Sequence, residues 1–226
     1  NGIYVYNCQD VYINVEFYNN TIYDAISSFD NIYLNIENSI FAGNTFEFAI
    51  YSDSRNTLNI SGSTFTNNTV GNVVCSLDNK LYVIGSTFSA NTLSDYGALY
   101  TDTKDVTVDD CLFAENKGDK YRNIYSKSYP KITNTIFDAI NVDYAVSDID
   151  YGQTEIIKGT IDIGTNFDFN VNININNKVS SVYVTNNKFT YTLSNLTGGD
   201  YDVVLTAQDR DSNTFVFNQI TKTFTR

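Results

Sequence analysis

The side chains in this 226-residue chain that could do chemistry are mostly tyrosines and aspartates recurring at one interval. Tyr51, Tyr100 and Tyr125 fall in one register, which also holds Tyr6, Ser27 and Cys75. Rings stacked outward at a fixed interval make a platform for sugar rings or a partner surface. Tyr gives large contact area at low entropy cost and adds a hydroxyl. The same residue is also a good strand former that long turns can cover. Asp30, Asp53, Asp78 and Asp102 recur at spacings of 23, 25 and 24. Carboxylates stacked this way repel unless solvated or bridged by a cation such as calcium, which takes several oxygen ligands. Asp is equally a turn residue, and the glycine-rich nonapeptide calcium repeat does not occur. No metal and no cofactor are therefore expected.

Catalysis has one dense cluster to draw on: Asp102, Lys104, Asp105, Asp109 and Asp110. Strand alternation would send Asp109 and Asp110 to opposite faces, which argues against a carboxylate pair. The chain has no His, so a Ser-His-Asp relay is excluded. The expectation is that the chain is not an enzyme. Four acceptor patterns for N-glycosylation begin at Asn19, Asn59, Asn67 and Asn195. Asn59 and Asn67 flank inward positions and are expected to point outward.

The elements that position these groups come from a repeat. Phe stands at 17, 41, 65, 88, 113 and 137, at spacings of 24, 24, 23, 25 and 24. Three residues after the first five of these Phe stands Asn20, Asn44, Asn68, Asn91 or Asn116; after Phe137, Ile140 takes that place. Two residues before Phe41 and its successors stand Ser39, Ser63, Ser86, Cys111 and Thr135. Five before it stand Tyr12, Ile36, Ile60, Val83, Val108 and Ile132. A second strand per repeat places Ile26, Ile50, Val74, Leu99 and Ile124 in one column and Ser28, Ser52, Ser76, Thr101 and Ser126 in another. A fixed period of this length marks stacked supersecondary units that bury their apolar faces only against each other. The spacing predicts an all-β fold that opens with a right-handed parallel β-helix of about six coils over residues 1–141. Stacked Asn amides are expected to hydrogen-bond along the stack, with the Asn backbone in the left-handed turn conformation.

From Val142 the pattern changes to alternating strands separated by Asn, Asp and Gly turns. Strands are expected over 144–149, 154–163, 167–175, 179–185, 189–193, 200–208 and 214–224. Seven short strands in this span predict an Ig-like β-sandwich over residues 142–226. Tyr201, in Gly198-Gly199-Asp200-Tyr201-Asp202-Val203, fits a tyrosine corner.

Composition bounds the partners. A formal charge of −12 argues against nucleic-acid binding, which needs clustered Lys and Arg. No apolar run is long enough for a membrane-spanning helix. The chain opens on Asn1-Gly2-Ile3-Tyr4-Val5-Tyr6, which reads as mid-coil strand, so it is expected to be a piece of a longer protein. Cys8, Cys75 and Cys111 fall too far apart in the stack to bridge and are expected to be free thiols. In an extracellular protein that composition points to an anaerobic habitat.

Ser63-Thr64-Phe65-Thr66-Asn67-Asn68-Thr69 and Ser86-Thr87-Phe88-Ser89-Ala90-Asn91-Thr92 resemble the repeats of the large adhesin-like surface proteins of methanogenic archaea. The resemblance implies a parallel β-helix followed by an Ig-like module, displayed extracellularly on the cell surface, with no catalytic residues to carry over. It also implies attachment to other cells, bacterial or eukaryotic, or to surface carbohydrate. The expected role is a monomeric adhesin fragment whose contact face carries Tyr51, Tyr100 and Tyr125, with Asp53 and Asp102 accepting from sugar hydroxyls. The rivals are a polysaccharide lyase or hydrolase of the β-helix type and a plain structural stalk.

Overall fold

The structure is a computed structural model that describes residues 2–53, 57–119, 121–164, 168–207, 211–218 and 220–226. The expected strand ends at Phe167 and Gln208 lie outside the described residues, as do Asn1 and Gln219. The described residues are all β-strand, turn and loop, and none forms a helix long and apolar enough to cross a membrane.

Residues 3–140 wind into a parallel β-solenoid of six coils, each contributing a strand to three sheets. The first sheet stacks Ile3–Tyr6, Asp24–Phe29, Thr45–Asp53, Thr69–Leu77, Leu99–Thr101 and Ile124–Ser126. The second stacks Asp10–Ile13, Tyr33–Glu37, Thr57–Ser61, Lys80–Ile84, Val106–Asp109 and Lys131–Thr133. The third starts with Glu16–Tyr18, Ile40–Ala42, Thr64–Thr66, Thr87–Ser89, Leu112–Ala114 and Ile136–Ile140. In-register parallel pairing puts Leu58 between Leu34 and Leu81, and Ile60 between Ile36 and Val83. Each of these is buried.

The Phe column forms one ring stack. Phe41, Phe65, Phe88, Phe113 and Phe137 are fully buried, and consecutive rings from Phe17 to Phe137 lie 4.8–5.4 Å apart and within 13° of parallel. Beside it runs the Asn ladder. Asn68 Nδ2 donates to Asn91 Oδ1 at 3.0 Å and to the Phe41 carbonyl at 2.8 Å, while Asn68 Oδ1 accepts from the Asn44 amide. Every polar atom of that buried side chain is therefore used, which is what allows an amide to sit in a core. The left-handed backbone is not on the ladder residue, as the sequence suggested, but on the residue before it: Asn19, Gly43, Asn67, Ala90, Glu115 and Ala139 have φ between 53° and 68°.

Two columns shift by a residue or two in the first coil. Ile13, not Tyr12, pairs with Ile36 and is buried, while Tyr12 faces solvent beside Asn35. Tyr4, not Tyr6, pairs with Ser27. The connection from Ile13 to Phe17 is one residue shorter than that from Ile36 to Phe41. Alignment on Phe therefore slipped the first coil by one, which reverses the face of each strand residue.

Beyond Ile140 the pairing turns antiparallel. One sheet holds Val142–Ala145, Glu155–Ile161 and Lys188–Leu193; the other holds Lys178–Val184, Phe169–Ile175, Asp200–Ala207 and Thr221–Thr225. Their inner residues, among them Ile157, Ile161, Val171, Ile173, Val203 and Phe224, are buried. The expected strand over 214–224 is two strands with different partners. Thr214–Phe217 pairs in parallel with Ile136–Ile140 and so extends the third solenoid sheet. Phe215 stacks on Phe137 at 5.5 Å, and Phe169 stacks on Phe215 at 5.3 Å. Asn213 Oδ1 accepts from the Thr135 amide at 2.9 Å, taking the place that Ser and Thr hold in the lower coils. Asn213-Thr214-Phe215-Val216-Phe217-Asn218 thus repeats the solenoid motif as an additional rung.

Candidate functional site

The outward column of the first sheet is Tyr4, Ser27, Tyr51, Cys75, Tyr100 and Tyr125. It faces out because its flanking columns, Ile26 to Ile124 and Ser28 to Ser126, are buried inside. The column is not one aromatic platform. Ser27 and Cys75 are 1% and 5% exposed, so other side chains cover these two steps. The Ser27 hydroxyl donates to Asp24 Oδ2 at 2.8 Å; Asp24 is itself buried, and its Oδ1 has no partner.

Tyr51 belongs to a lower aromatic group, with its ring 5.6 Å from Phe29 and 5.3 Å from Phe48. Its hydroxyl donates to Asp53 Oδ2 at 3.4 Å. Burial, with Asp53 adding to it, pushes the phenol up to about 12. Cys75 follows, its thiol pushed up to about 12 by burial first and then by Asp102, Asp53, Asp95 and Asp24 around it. The two aromatic groups are thus separated by a buried thiol among carboxylates.

Tyr100 and Tyr125 form the upper group. Their rings stack 5.1 Å apart at an interplanar angle of 1°. Two tyrosines absent from the sequence reading join them: Tyr96 lies 5.1 Å from Tyr125, and Tyr121 lies 5.4 Å from Tyr125 and 6.2 Å from Tyr96. The signal was present, since Tyr96 and Tyr121 stand four residues before Tyr100 and Tyr125, the two rings of the stacked pair. They sit off the strands, where strand periodicity says nothing. Gly97, at φ +75°, allows the close approach: a Cβ there would lie 2.9 Å from the Tyr121 carbonyl and the Tyr125 amide. Burial raises the Tyr100 phenol, so its hydroxyl stays protonated and able to donate at neutral pH.

The acidic column separates into two. Asp53 pairs with Phe29 and Leu77, whereas Asp30 and Asp78 occupy left-handed turn positions at φ 53° and 56°. Asp102 Oδ1 accepts from the Asp78 amide at 2.9 Å, and Asp102 Oδ2 lies 3.6 Å from Lys127 Nζ. Among the described residues no group of three or more acids or thiols is arranged to hold a metal ion. Asp109 accepts from the Thr133 hydroxyl at 2.6 Å and the Asn134 amide at 2.8 Å, bonds that hold its carboxyl below the usual range. A carboxylate so stabilised is a poor proton donor. Asp110 sits in a left-handed turn, and Asp105 pairs with Lys80 at 3.7 Å.

Asn19, Asn67 and Asn195 are exposed, at φ 54°, 54° and 57°. Asn59 is only half-buried, but its amide donates to Asn35 Oδ1 at 2.7 Å. All three cysteines are free, with Cys8 exposed and Cys75 and Cys111 buried. In the terminal module the Tyr201 hydroxyl donates to the Thr197 carbonyl at 2.7 Å, the bond a tyrosine corner makes.

No protein-family model matches this chain, and no curated protein is similar to it. Among solved structures it is similar to the chitinase ChiW of Paenibacillus sp. str. FPU-7, described as a bacterial cell-surface-expressed multi-modular enzyme machinery, at 10% identity and a TM-score of 0.28. The match covers 97% of this chain and 24% of that one, so the chain spans about a quarter of that protein's length.

Proposed function

We propose that the chain is an extracellular, cell-surface adhesin segment that contacts other cells or surface carbohydrate, as its resemblance to the adhesin-like proteins of methanogenic archaea implies. The observation that supports this most is the cluster of Tyr96, Tyr100, Tyr121 and Tyr125 on the outer face of the upper coils. Sugar faces pack on aromatic rings, and phenol hydroxyls hydrogen-bond sugar hydroxyls. Contacts of this kind are individually weak; many copies on one cell raise the effective concentration and make attachment firm. The two terminal sheets group the first, second and fifth strands against the fourth, third, sixth and seventh. With the Tyr201 corner, that order supports an Ig-like module.

The test is a glycan array and a whole-cell adhesion assay with the full chain. Changing Tyr100 and Tyr125 together to Ala should abolish binding while the β-sheet circular dichroism stays unchanged. Binding that survives in the folded double variant would move the contact elsewhere. Absence of binding by the parent chain would favour a plain stalk, and release of unsaturated or reducing sugar ends would favour the enzyme.

A further inference from the structure

The outer face of the three-stranded sheet in the terminal module carries an open groove of about 420 Å³. Strand alternation builds it. Tyr144 and Phe189 turn inward and are buried. Asp143, Ala145, Lys158, Thr160, Lys188 and Thr190 are left on the outer side, and all six are exposed. The antiparallel register sets Lys158 opposite Thr190 and Thr160 opposite Lys188. The two lysines are therefore diagonal neighbours, about 7–8 Å apart at the backbone and within reach of one ligand. A threonine hydroxyl stands beside each of them. On the next strand Ala145 is opposite Lys158 and is too short to fill the groove.

The charges on this face run against those of the chain. Acidic residues outnumber basic ones by 26 to 14, and Lys80, Arg122 and Lys127 of the solenoid each pair with an aspartate. In the groove the one lining carboxylate, Asp143, is already engaged: it lies 3.7 Å from Lys222 Nζ. The same ammonium donates to the Tyr144 carbonyl and sits over the Tyr144 ring. Among the described residues no carboxylate lies within ion-pairing distance of Lys158 or Lys188. Two like charges set side by side on one sheet face repel each other, and an anion between them removes that repulsion. The net charge of −12 does not forbid this. At physiological salt the screening length is about 8 Å, so the two nearby ammonium groups set the local potential.

We propose that this groove binds an anionic sugar unit of a glycan. The carboxylate or sulfate of that unit lies between Lys158 and Lys188, and the Thr160 and Thr190 hydroxyls hydrogen-bond its ring oxygens and hydroxyls. Lysine is a flexible point charge, without the planar fork by which Arg selects a carboxylate, so the groove reads the charge and not its geometry. The volume is in the lower part of the roughly 300–1,000 Å³ of ligand pockets, which suits one or two sugar rings. Nucleic acid fits less well, because its affinity comes from many phosphates met by clustered Lys and Arg. The site rests on the carbohydrate reading above, but not on the tyrosine face, and gives the terminal module a ligand class of its own.

The experiment uses the full chain and saturation-transfer NMR at physiological salt. The probes are tetragalacturonate for the carboxylate, a carrageenan tetrasaccharide for the sulfate, and maltotetraose as the neutral comparison. At least one anionic probe should bind with a millimolar dissociation constant, and the tighter of the two names the anion. Changing Lys158 and Lys188 together to Gln should weaken that binding at least tenfold without lowering the Tm of the sugar-free protein. Changing both to Arg, which keeps the charge, should retain it. Lys104→Gln with Lys178→Gln removes the same charge from exposed positions elsewhere and should leave it unchanged. The proposal is overturned by no binding of either anionic probe, by equal binding of maltotetraose, by equal binding to the Lys158/Lys188 Gln variant, or by the same loss in the Lys104/Lys178 variant. Tighter binding of a DNA duplex than of either probe would also overturn it. Cell adhesion that needs Tyr100 and Tyr125, on a chain that binds neither anionic probe, would retain the adhesin reading and remove the groove. Anionic probes that bind through Lys158 and Lys188 on a chain that adheres to no cell would do the reverse.

Discussion

The solenoid and the terminal module bury similar residues by opposite means. In the solenoid each core residue packs on its own kind one coil away: Phe65 between Phe41 and Phe88, Asn68 between Asn44 and Asn91. Every interaction is a nearest-neighbour one, repeated with the coil. In the module, alternation alone selects the core. Val171 pairs across strands with Val182 and Ala207, Ile173 with Ser180 and Leu205, and no pair recurs. A repeating stack therefore announces its contacts in the sequence, while paired antiparallel strands announce only which face is inward. The rung at Thr214–Phe217 joins the two: by chain position it lies within the module, and by pairing it belongs to the solenoid.

The largest expected effect tests the stack. Phe65→Ala should cost about 3–5 kcal/mol in denaturant unfolding, and Phe215→Ala a similar amount. The two should differ in reach. Phe215 sits between Phe137 and Phe169, so its loss should lower the transitions of solenoid and module together. Hydrogen exchange of both regions, compared between the variants, reads this directly. If Phe215→Ala loosened only the module, the rung would not be a coupling element.

Next come the polar columns. Asn68→Ala strands the Asn44 amide and the Phe41 carbonyl and should cost about 1–3 kcal/mol. Asn213→Ala, which leaves the Thr135 amide without an acceptor, should cost a similar amount. Asn67→Ala should cost less than about 1 kcal/mol, the left-handed penalty alone, since Ala90 already occupies the same turn position. Chemical denaturation of the three variants is sufficient. A larger loss at Asn67 than at Asn68 would refute the ladder as the source of register.

Smaller still is a pH contrast. Burial raises the Asp162 carboxyl above 3.8, against the pull of Arg122. Its ionisation opposes folding, so this group's contribution improves as pH falls from neutral through the raised value. Asp109 behaves in the opposite way. Its carboxyl is lowered by Thr133 and Asn134, so its stabilisation is present above the unfolded value and lost as pH falls through the folded one. Unfolding midpoints of Asp162→Asn and Asp109→Asn, taken relative to the parent across about pH 3–6, should therefore change in opposite directions. Slopes of the same sign would contradict it.

The thiols give the finest comparison. Cys8 should react with maleimide in the native protein. Cys75 and Cys111, buried and raised to about 12 and about 11, should react only on unfolding. Mass spectrometry of briefly labelled protein counts the adducts, and modification of Cys75 without unfolding would show the tyrosine face to be open at that step.

The sequence alone determined the solenoid, because parallel in-register stacking brings like residue onto like and leaves a period of about two dozen residues in the chain. The Phe, Ser and Asn columns followed from that period, as did the strand column bearing Tyr51, Tyr100 and Tyr125. Local chemistry also determined the Asn186-Asn187 turn and the Tyr201 bond to Thr197, both of which depend on neighbours in sequence. Tertiary structure decided the rest. Tyr51 and Tyr100 share a column but not a cluster, because what covers Cys75 comes from outside the column. Tyr96 and Tyr121 join the site from loops, where periodicity carries no directional information. Asn213-Thr214-Phe215 copies the repeat, but it stands 78 residues after the Asn134-to-Phe137 rung that it covers, a distance that is no multiple of the period. Only the folding of the module between them returns that segment to the stack. Tyr125 and Asn187 line one cleft for the same reason: the module closes on the last coil, and nothing in their spacing along the chain records it.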